Sequence, residues 1–186
     1  TQTAGIVATG STTANVAIAE SWNGTSWAEV NDANTPRRGI GSFGTSTAAI
    51  ITGGNSSGTP PPGGIHGLTE SWNGYVWTEV ADLNTDRRNS KGSGTQTAGI
   101  ISGGNSPGSR AHTETWNGSS WTEVSDLNTA RNLHASSINA PSTASLVFGN
   151  NPVSGITELY NGSSWTELND LNTSRYGLAG AGISTD

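Results

Sequence analysis

The residues most capable of chemistry in this sequence are acids and arginines that recur at fixed positions. An arginine follows a tryptophan by ten residues four times, at Arg37, Arg87, Arg131 and Arg175. Twelve of the 14 acidic residues occupy three repeated positions, such as Glu70, Glu79 and Asp82. Paired carboxylates could hydrolyse glycosidic bonds. Because these twelve acids recur with their segment, we expect each copy to be structural, through Arg–carboxylate pairs and turn hydrogen bonds.

The other chemically versatile residue types are few. His66, His112 and His134 fall at three different positions of the repeat and have no metal-ligand spacing, so we expect solvated loop or strand residues. The absence of cysteine excludes disulfides, thiolate metal sites and cysteine nucleophiles. We therefore predict no catalytic residue, no metal and no cofactor.

The element that positions these residues is a repeat, seen most clearly from Glu114 to Arg131, whose other copies start at Glu20, Glu70 and Glu158. A short apolar run such as Ile100–Ile101, bounded by glycine, precedes each copy and predicts a buried strand. Asn-Gly between two aromatic residues predicts a hairpin with a type I′ turn, and we expect only the second aromatic residue to be buried. A run of small residues after each arginine predicts a strand whose backbone approaches its neighbours closely. The pattern indicates an all-β chain with almost no helix.

The repeats differ mainly in the loop that follows the glycines of the apolar strand. The apolar runs start 44, 50 and 46 residues apart, and the loop from Gly53 to Leu68 includes Pro60, Pro61 and Pro62. Periods of this length built from strands alone indicate propeller blades, in which insertions collect on one face that is often the binding face.

These residues together resemble the kelch repeat. The shared features, in order, are an apolar strand ending in Gly-Gly, an aromatic residue before a turn, a tryptophan five residues later and an arginine ten beyond it. The resemblance implies a β-propeller with four antiparallel strands per blade, the small-residue strand innermost and the tryptophan strand outermost. We predict one four-bladed domain over residues 1–186, with repeats at 1–44, 45–94, 95–140 and 141–186. Residues 176–184 would close the ring by pairing beside residues 3–8 and completing the first blade.

The resemblance also implies where a ligand would bind. Kelch proteins commonly hold ligands by the loops after Gly-Gly and by the residues just past the repeat arginine. In this sequence those positions hold Arg38, Arg88, Asn132, Tyr176, Asn55, Asn105 and Asn150. Arg38 and Arg88, on neighbouring blades, could clamp an acidic group by charge-assisted hydrogen bonds. The alternative is that these are ordinary solvated residues at the rim.

Composition restricts the partners. A net charge of −6 with a single lysine argues against a nucleic-acid ligand, and no apolar segment is long enough to insert into a membrane. We predict a non-catalytic binding or structural module that recognises a protein or glycan in an extracellular or virion-associated setting. The alternative is a glycoside hydrolase of the sialidase-like propeller type. We expect a monomeric ring, with two paired chains in one eight-bladed ring as the alternative.

Overall fold

The structure is a computed structural model of the 186-residue chain and describes residues 3–56 and 64–183. Within these ranges the chain forms strands and turns and has no helix, so no helix is long and apolar enough to cross a membrane. Pro60, Pro61 and Pro62 of the predicted variable loop, and Ser184 of the predicted closing strand, lie outside the described residues. The all-β prediction is confirmed.

Four antiparallel sheets follow one another along the chain. The first sheet contains β1 (Gly5–Ser11), β2 (Asn15–Trp22) and β3 (Trp27–Val30). The second contains β5 (Gly41–Thr45), β6 (Ala48–Thr52), β9 (Thr69–Trp72) and β10 (Trp77–Val80). A small sheet contains β4 (Arg37–Arg38), β7 (Asn55–Ser56) and β8 (Gly64–Ile65), and its strand β4 contacts β1 and β2 of the first sheet. The third contains β11 (Lys91–Thr95), β12 (Ala98–Ser102), β13 (Thr113–Trp116) and β14 (Trp121–Val124). The fourth contains β15 (Ala135–Ser136), β16 (Leu146–Asn150), β17 (Ser154–Tyr160) and β18 (Trp165–Leu168).

The second, third and fourth sheets share one strand order. In each, a strand of small residues pairs with the apolar strand, and the apolar strand pairs with the first aromatic strand. The first aromatic strand then pairs with the tryptophan strand at the other edge of the sheet. The apolar strands supply the core, where Ile50, Ile101 and Val147 are fully buried. β-branched side chains suit these positions because they pack well on a pleated surface.

The small-residue strands pack directly against one another from sheet to sheet. A Cβ atom on Gly92 would lie 2.8 Å from the carbonyl oxygen of Ser42. The Ser136 hydroxyl donates to the carbonyl of Gly92 at 3.1 Å, and a Cβ atom on Gly180 would lie 2.3 Å from the carbonyl oxygen of Ser136. Larger side chains would push these backbones apart, which explains the glycine and serine content of this strand.

The aromatic hairpins correct two sequence-based expectations. Trp72 and Trp77 are opposite each other in the ladder, with ring centroids 5.1 Å apart, and both are buried. Residues directly opposite in an antiparallel pair share a face, so the prediction that only the second aromatic residue is buried was wrong. The turn is also not type I′. A type I′ turn needs a positive φ at both central residues, and Gly74 has one, at 93°, but Asn73 does not. The Asn73 side chain instead accepts hydrogen bonds from the amides of Tyr75 and Val76 at 2.9 and 3.0 Å.

The predicted closure of the first sheet by the C-terminal segment is not found. Among residues 3–56 and 64–183, β1 pairs only with β2, and residues 176–183 form no strand. These residues lie against the fourth sheet instead, where the amide of Gly177 donates to the carbonyl of Leu133 at 2.7 Å. Glycine and alanine give the segment little intrinsic strand preference. It is held against the fourth sheet by this hydrogen bond and by close packing, with Leu178 beside Gly149 and Gly180 beside Ser136.

Candidate ligand-binding face

The repeated acids and arginines join consecutive sheets. The Arg37 guanidinium donates to the Glu70 carboxylate at 2.7 Å, Arg87 donates to Glu114 at 2.7 Å, and Arg131 pairs in the same way with Glu158. In each pair the arginine lies in the segment that connects one sheet to the next, and the glutamate lies in the first aromatic strand of that next sheet. All six residues are fully buried. The predicted Arg–carboxylate pairing is therefore confirmed for these three pairs.

Asparagine completes each of these contacts. The second carboxylate oxygen of Glu114 accepts hydrogen bonds from both the backbone amide and the side-chain amide of Asn84 at 2.8 Å, and Asn84 also donates to the carbonyl of Trp121 at 3.2 Å. Asn34 and Asn128 make the equivalent bonds to Glu70 and Glu158. Burial lowers the pKa of Arg87, and the Glu114 carboxylate acts in the opposite direction. These ion pairs are charge-neutral and hydrogen-bonded, which suits a structural role better than an exposed reactive one.

The paired glycines place the variable loops beside these arginines. Gly53 has a φ of +67°, and a Cβ atom on it would lie 2.4 Å from the carbonyl oxygen of Arg87. The amide of Gly54 donates to that same carbonyl at 2.9 Å. Gly103 and Gly149 repeat this arrangement with Arg131 and Arg175. A side chain at the first glycine would therefore break the contact that carries the loop to the next sheet.

The predicted ligand-binding residues meet in pairs at this edge. Arg38 is opposite Asn55 in the β4–β7 ladder, and Arg88 forms a backbone bridge with Asn105. The amide of Asn132 donates to the Asn150 side chain at 3.1 Å. In each pair a residue just past the repeat arginine thus lies beside a residue of the variable loop. We call the surface formed by these residues the loop face.

The asparagines of the loop face are used mainly to hold the loops. The side chain of Asn105 accepts from Asn89 at 3.0 Å, and the side chain of Asn150 donates to the carbonyl of Ala130 at 3.3 Å. Both are buried. Tyr176, by contrast, is 51% exposed and follows the last repeat arginine without a loop residue opposite it.

The two arginines of the loop face differ from the buried ones one residue earlier. Neither Arg38 nor Arg88 forms an ion pair with a carboxylate of the described residues. Within the described part of the chain, the Arg38 guanidinium donates to the side chain of Asn15 at 3.4 Å. The two segments are adjacent, because the amide of Asn89 donates to the carbonyl of Gly39 at 2.6 Å. The loop face therefore presents two neighbouring guanidinium groups that no carboxylate of the described residues neutralises.

Sequence reasoning missed three residues at this face. Asn15 bridges Arg38 and the carbonyl of Asn55, which its side chain reaches at 2.8 Å. Asn89 has a positive φ of 56°, and Arg110 donates from the variable loop to the carbonyl of Ser106. Only Asn89 had a signal in the sequence. Glycine stands at the equivalent positions 39 and 177, which indicates a left-handed backbone, and asparagine is the side chain that tolerates it best.

Other parts of the molecule offer less for a site. The described residues include no group of three or more histidines, cysteines, aspartates or glutamates that could hold a metal ion. His134 was expected in a solvated position, but it is fully buried, and burial, with Arg131 and Lys91 nearby, holds its pKa well below the usual range. A cavity of about 460 Å³ lies along β1 and β5, and no acidic side chain lines it.

No protein-family model matches the chain, and no curated protein matches it.

Proposed function

We propose that the chain is a kelch-like β-propeller module that binds an anionic group of a protein or glycan ligand at the loop face. The common strand order of the sheets, the direct stacking of the small-residue strands and the Arg–Glu pairs between consecutive sheets support the propeller arrangement. In that arrangement the sheets are blades, and the variable loops emerge on one side. The extracellular or virion-associated setting remains part of this proposal and rests on composition.

The observation that carries the binding proposal is the contrast between adjacent arginines. Arg37 and Arg87 are neutralised by buried glutamates, whereas Arg38 and Arg88 pair with no carboxylate among the residues that the structure describes, in a protein of net charge −6. Two guanidinium groups on adjacent sheets match a carboxylate, sulfate or phosphate better than lysines would, because each presents a planar fork of donors. An acidic sugar or an acidic peptide side chain is the ligand class that fits.

The proposal is for a non-catalytic module. Glycoside hydrolysis needs two carboxylates facing a substrate pocket. Three of the four repeated glutamates of the aromatic strands, namely Glu70, Glu114 and Glu158, have both carboxylate oxygens engaged by arginine and asparagine. The cavity beside β1 has no acidic lining residue. Both observations favour binding over the sialidase-like alternative.

The test is binding by the R38A/R88A variant. An array that includes sialylated, sulfated and neutral glycans, with acidic peptides printed beside them, should identify acidic ligands for the unmodified protein. The double variant should lose at least about tenfold in affinity for them, because each charge-assisted hydrogen bond contributes roughly 1.5–3 kcal/mol.

The matched control is R38K/R88K, which keeps the charge but removes the planar fork. It should bind more weakly than the unmodified protein and more tightly than R38A/R88A. All three proteins should have the same circular dichroism spectrum and thermal midpoint within a few degrees. Undiminished binding by R38A/R88A, or binding confined to neutral glycans, would contradict the proposal.

A further inference from the structure

The junction between the third and fourth sheets contains a histidine where the other repeats have an uncharged side chain. His134 is the third residue after the repeat arginine Arg131. The residues at the same position of the other repeats are Ile40, Ser90 and Leu178. His134 immediately precedes β15, in which the Ser136 hydroxyl donates to the carbonyl of Gly92 in β11 at 3.1 Å. It therefore lies where the innermost strands of two consecutive sheets meet.

The imidazole ring of His134 is packed like the side chain of a core residue. His134 is fully buried, and a Cβ atom on Gly103 of the third sheet would lie 2.7 Å from its ring carbon Cε1. Leu178 has the same relation to the fourth sheet, since a Cβ atom on Gly149 would lie 2.6 Å from its Cδ1 atom. The imidazole thus occupies a position that an aliphatic side chain fills in the following repeat.

Neither ring nitrogen of His134 has a hydrogen-bond partner within residues 3–56 and 64–183. A neutral imidazole has one donor and one acceptor, whereas the protonated ring has two donors. Protonation would therefore replace an unpaired acceptor by a second unpaired donor and would add a charge to a fully buried group. Burying a charge that has no partner costs much more than burying a neutral polar group.

The charges around His134 also oppose a proton on the ring. Burial is the main reason why its pKa lies well below the usual range, and Arg131 and the partly buried Lys91 at the start of β11 lower this pKa further. Arg131 is bound to Glu158, whereas Lys91 forms no ion pair with a carboxylate of the described residues. Further titratable or charged residues whose backbones bond to Arg131 or Gly103 are Arg110 and His112. The folded protein thus keeps His134 neutral under conditions in which an exposed histidine would be charged.

We propose that His134 makes the junction between the third and fourth sheets sensitive to mild acid, so that this junction opens as the pH falls below about 6.5. Opening exposes the imidazole to water, where it takes up a proton with the ordinary pKa of about 6.5, while the closed junction excludes that proton. The stability of the junction is therefore complete above about pH 6.5 and falls as the pH drops toward the lower pKa of the folded state. Over that interval the equilibrium constant for opening rises by up to about tenfold per pH unit.

The test compares the pH dependence of unfolding in the unmodified protein and in H134L. The matched variant H134L introduces the side chain that residue 178 carries at the same repeat position. Urea denaturation from about pH 7.5 to about pH 5 avoids the ordinary titration range of the carboxylates, near pH 4. The unfolding equilibrium constant of the unmodified protein, divided by that of H134L, should be constant above about pH 6.5 and rise by up to about tenfold per pH unit below it. H66Q, which removes a histidine elsewhere, should behave like the unmodified protein.

Two further measurements locate the effect. The Hε1 resonance of His134 in the folded, unmodified protein should show no titration step near pH 6.5, and this measurement needs no substitution. In native-state hydrogen exchange, corrected for the intrinsic rate at each pH, acid should increase the opening of β16 and β17 more than that of β6 and β9. If H134L does not fold, H134S gives the same comparison with the residue type found at position 90.

Three outcomes would overturn the proposal. Parallel pH profiles of H134L and the unmodified protein would show that His134 does not cause the acid sensitivity. A titration step of the His134 resonance near pH 6.5 in the folded protein would show that the closed junction accepts the proton. An acid effect on exchange that is equal in the second and fourth sheets would mean that acid does not act at this junction. The R38A/R88A result is independent of all three, because it concerns ligand binding at the loop face.

Discussion

At the scale of single residues, two adjacent arginines with the same chemistry have opposite environments. Arg37 is fully buried and bound to Glu70, and burial lowers its pKa while the glutamate opposes that shift. Arg38, one residue later, points to the exposed side of the same short strand. Alternation along a strand places neighbouring residues on opposite faces, so one arginine joins two sheets while the next is left for a ligand.

This difference leads to a stability prediction. Replacing Arg37 by alanine leaves Glu70 buried without a cation, which should lower the free energy of unfolding by about 3–5 kcal/mol. Replacing Arg38 by alanine removes an exposed side chain with one long hydrogen bond and should cost about 0.5 kcal/mol or less. Urea denaturation followed by tryptophan fluorescence measures both. Equal losses in the two variants would show that the ion pair does not hold the sheets together.

At the scale of elements, the glycine pair at the start of each variable loop is joined to the segment of the repeat arginine by backbone contacts. The first glycine adopts a left-handed backbone, and its lack of a side chain lets the carbonyl of the arginine later in the same repeat approach. Thr9 occupies the equivalent position in the first repeat with a φ of 63°, a conformation that is unfavourable for a β-branched residue. The loops can therefore vary in sequence while their starting points stay fixed by backbone contacts.

The prediction at this scale compares Gly53, which starts one variable loop, with Gly108, which lies within the next one. G53A places a methyl group 2.4 Å from the carbonyl of Arg87 in a left-handed conformation and should destabilise the protein by at least about 2 kcal/mol. G108A should change stability by less than about 0.5 kcal/mol, since no atom lies within 4 Å of its added Cβ and its φ is not left-handed. Thermal unfolding midpoints separate the two. A stable G53A variant would mean that the loop junction can shift.

Most of the strands could be predicted from the sequence, because repetition showed each pattern four times. The apolar run at Ile100–Ile101 and the tryptophan strand from Trp121 lie where the pattern placed them. The predicted turn type was wrong because the Asn73 side chain accepts the hydrogen bonds of the turn amides. The Asn-Gly dipeptide alone does not reveal this competition with the backbone. Repeat position selected Arg88 and Asn105 as candidates, and the structure joins them in a backbone bridge. Asn15 reaches Arg38 from another sheet and left no local signal.

At the scale of the whole molecule, stability depends on neighbouring sheets. Each inner junction buries an ion pair and a tryptophan, so the second and third sheets gain from two junctions and the end sheets from one. In arrays of this kind the stability of a unit is the sum of its own term and its interfaces with its neighbours. The first sheet is the weakest case, because it also lacks an innermost strand and exposes Trp27.

Native-state hydrogen exchange of the protein should therefore show a gradient. The amides of β2 and β3 should exchange at least about tenfold faster than those of β13 and β14, a difference in opening free energy of about 1.4 kcal/mol. The two hairpins have the same four-pair ladder and similar sequences, so the comparison measures the combined effect of the missing junction and the missing innermost strand. Uniform exchange across the sheets would contradict this prediction, because it would mean that the array opens as one cooperative unit. Faster exchange confined to the first sheet would instead locate the loss of stability at the sheet in which Trp27 is half exposed.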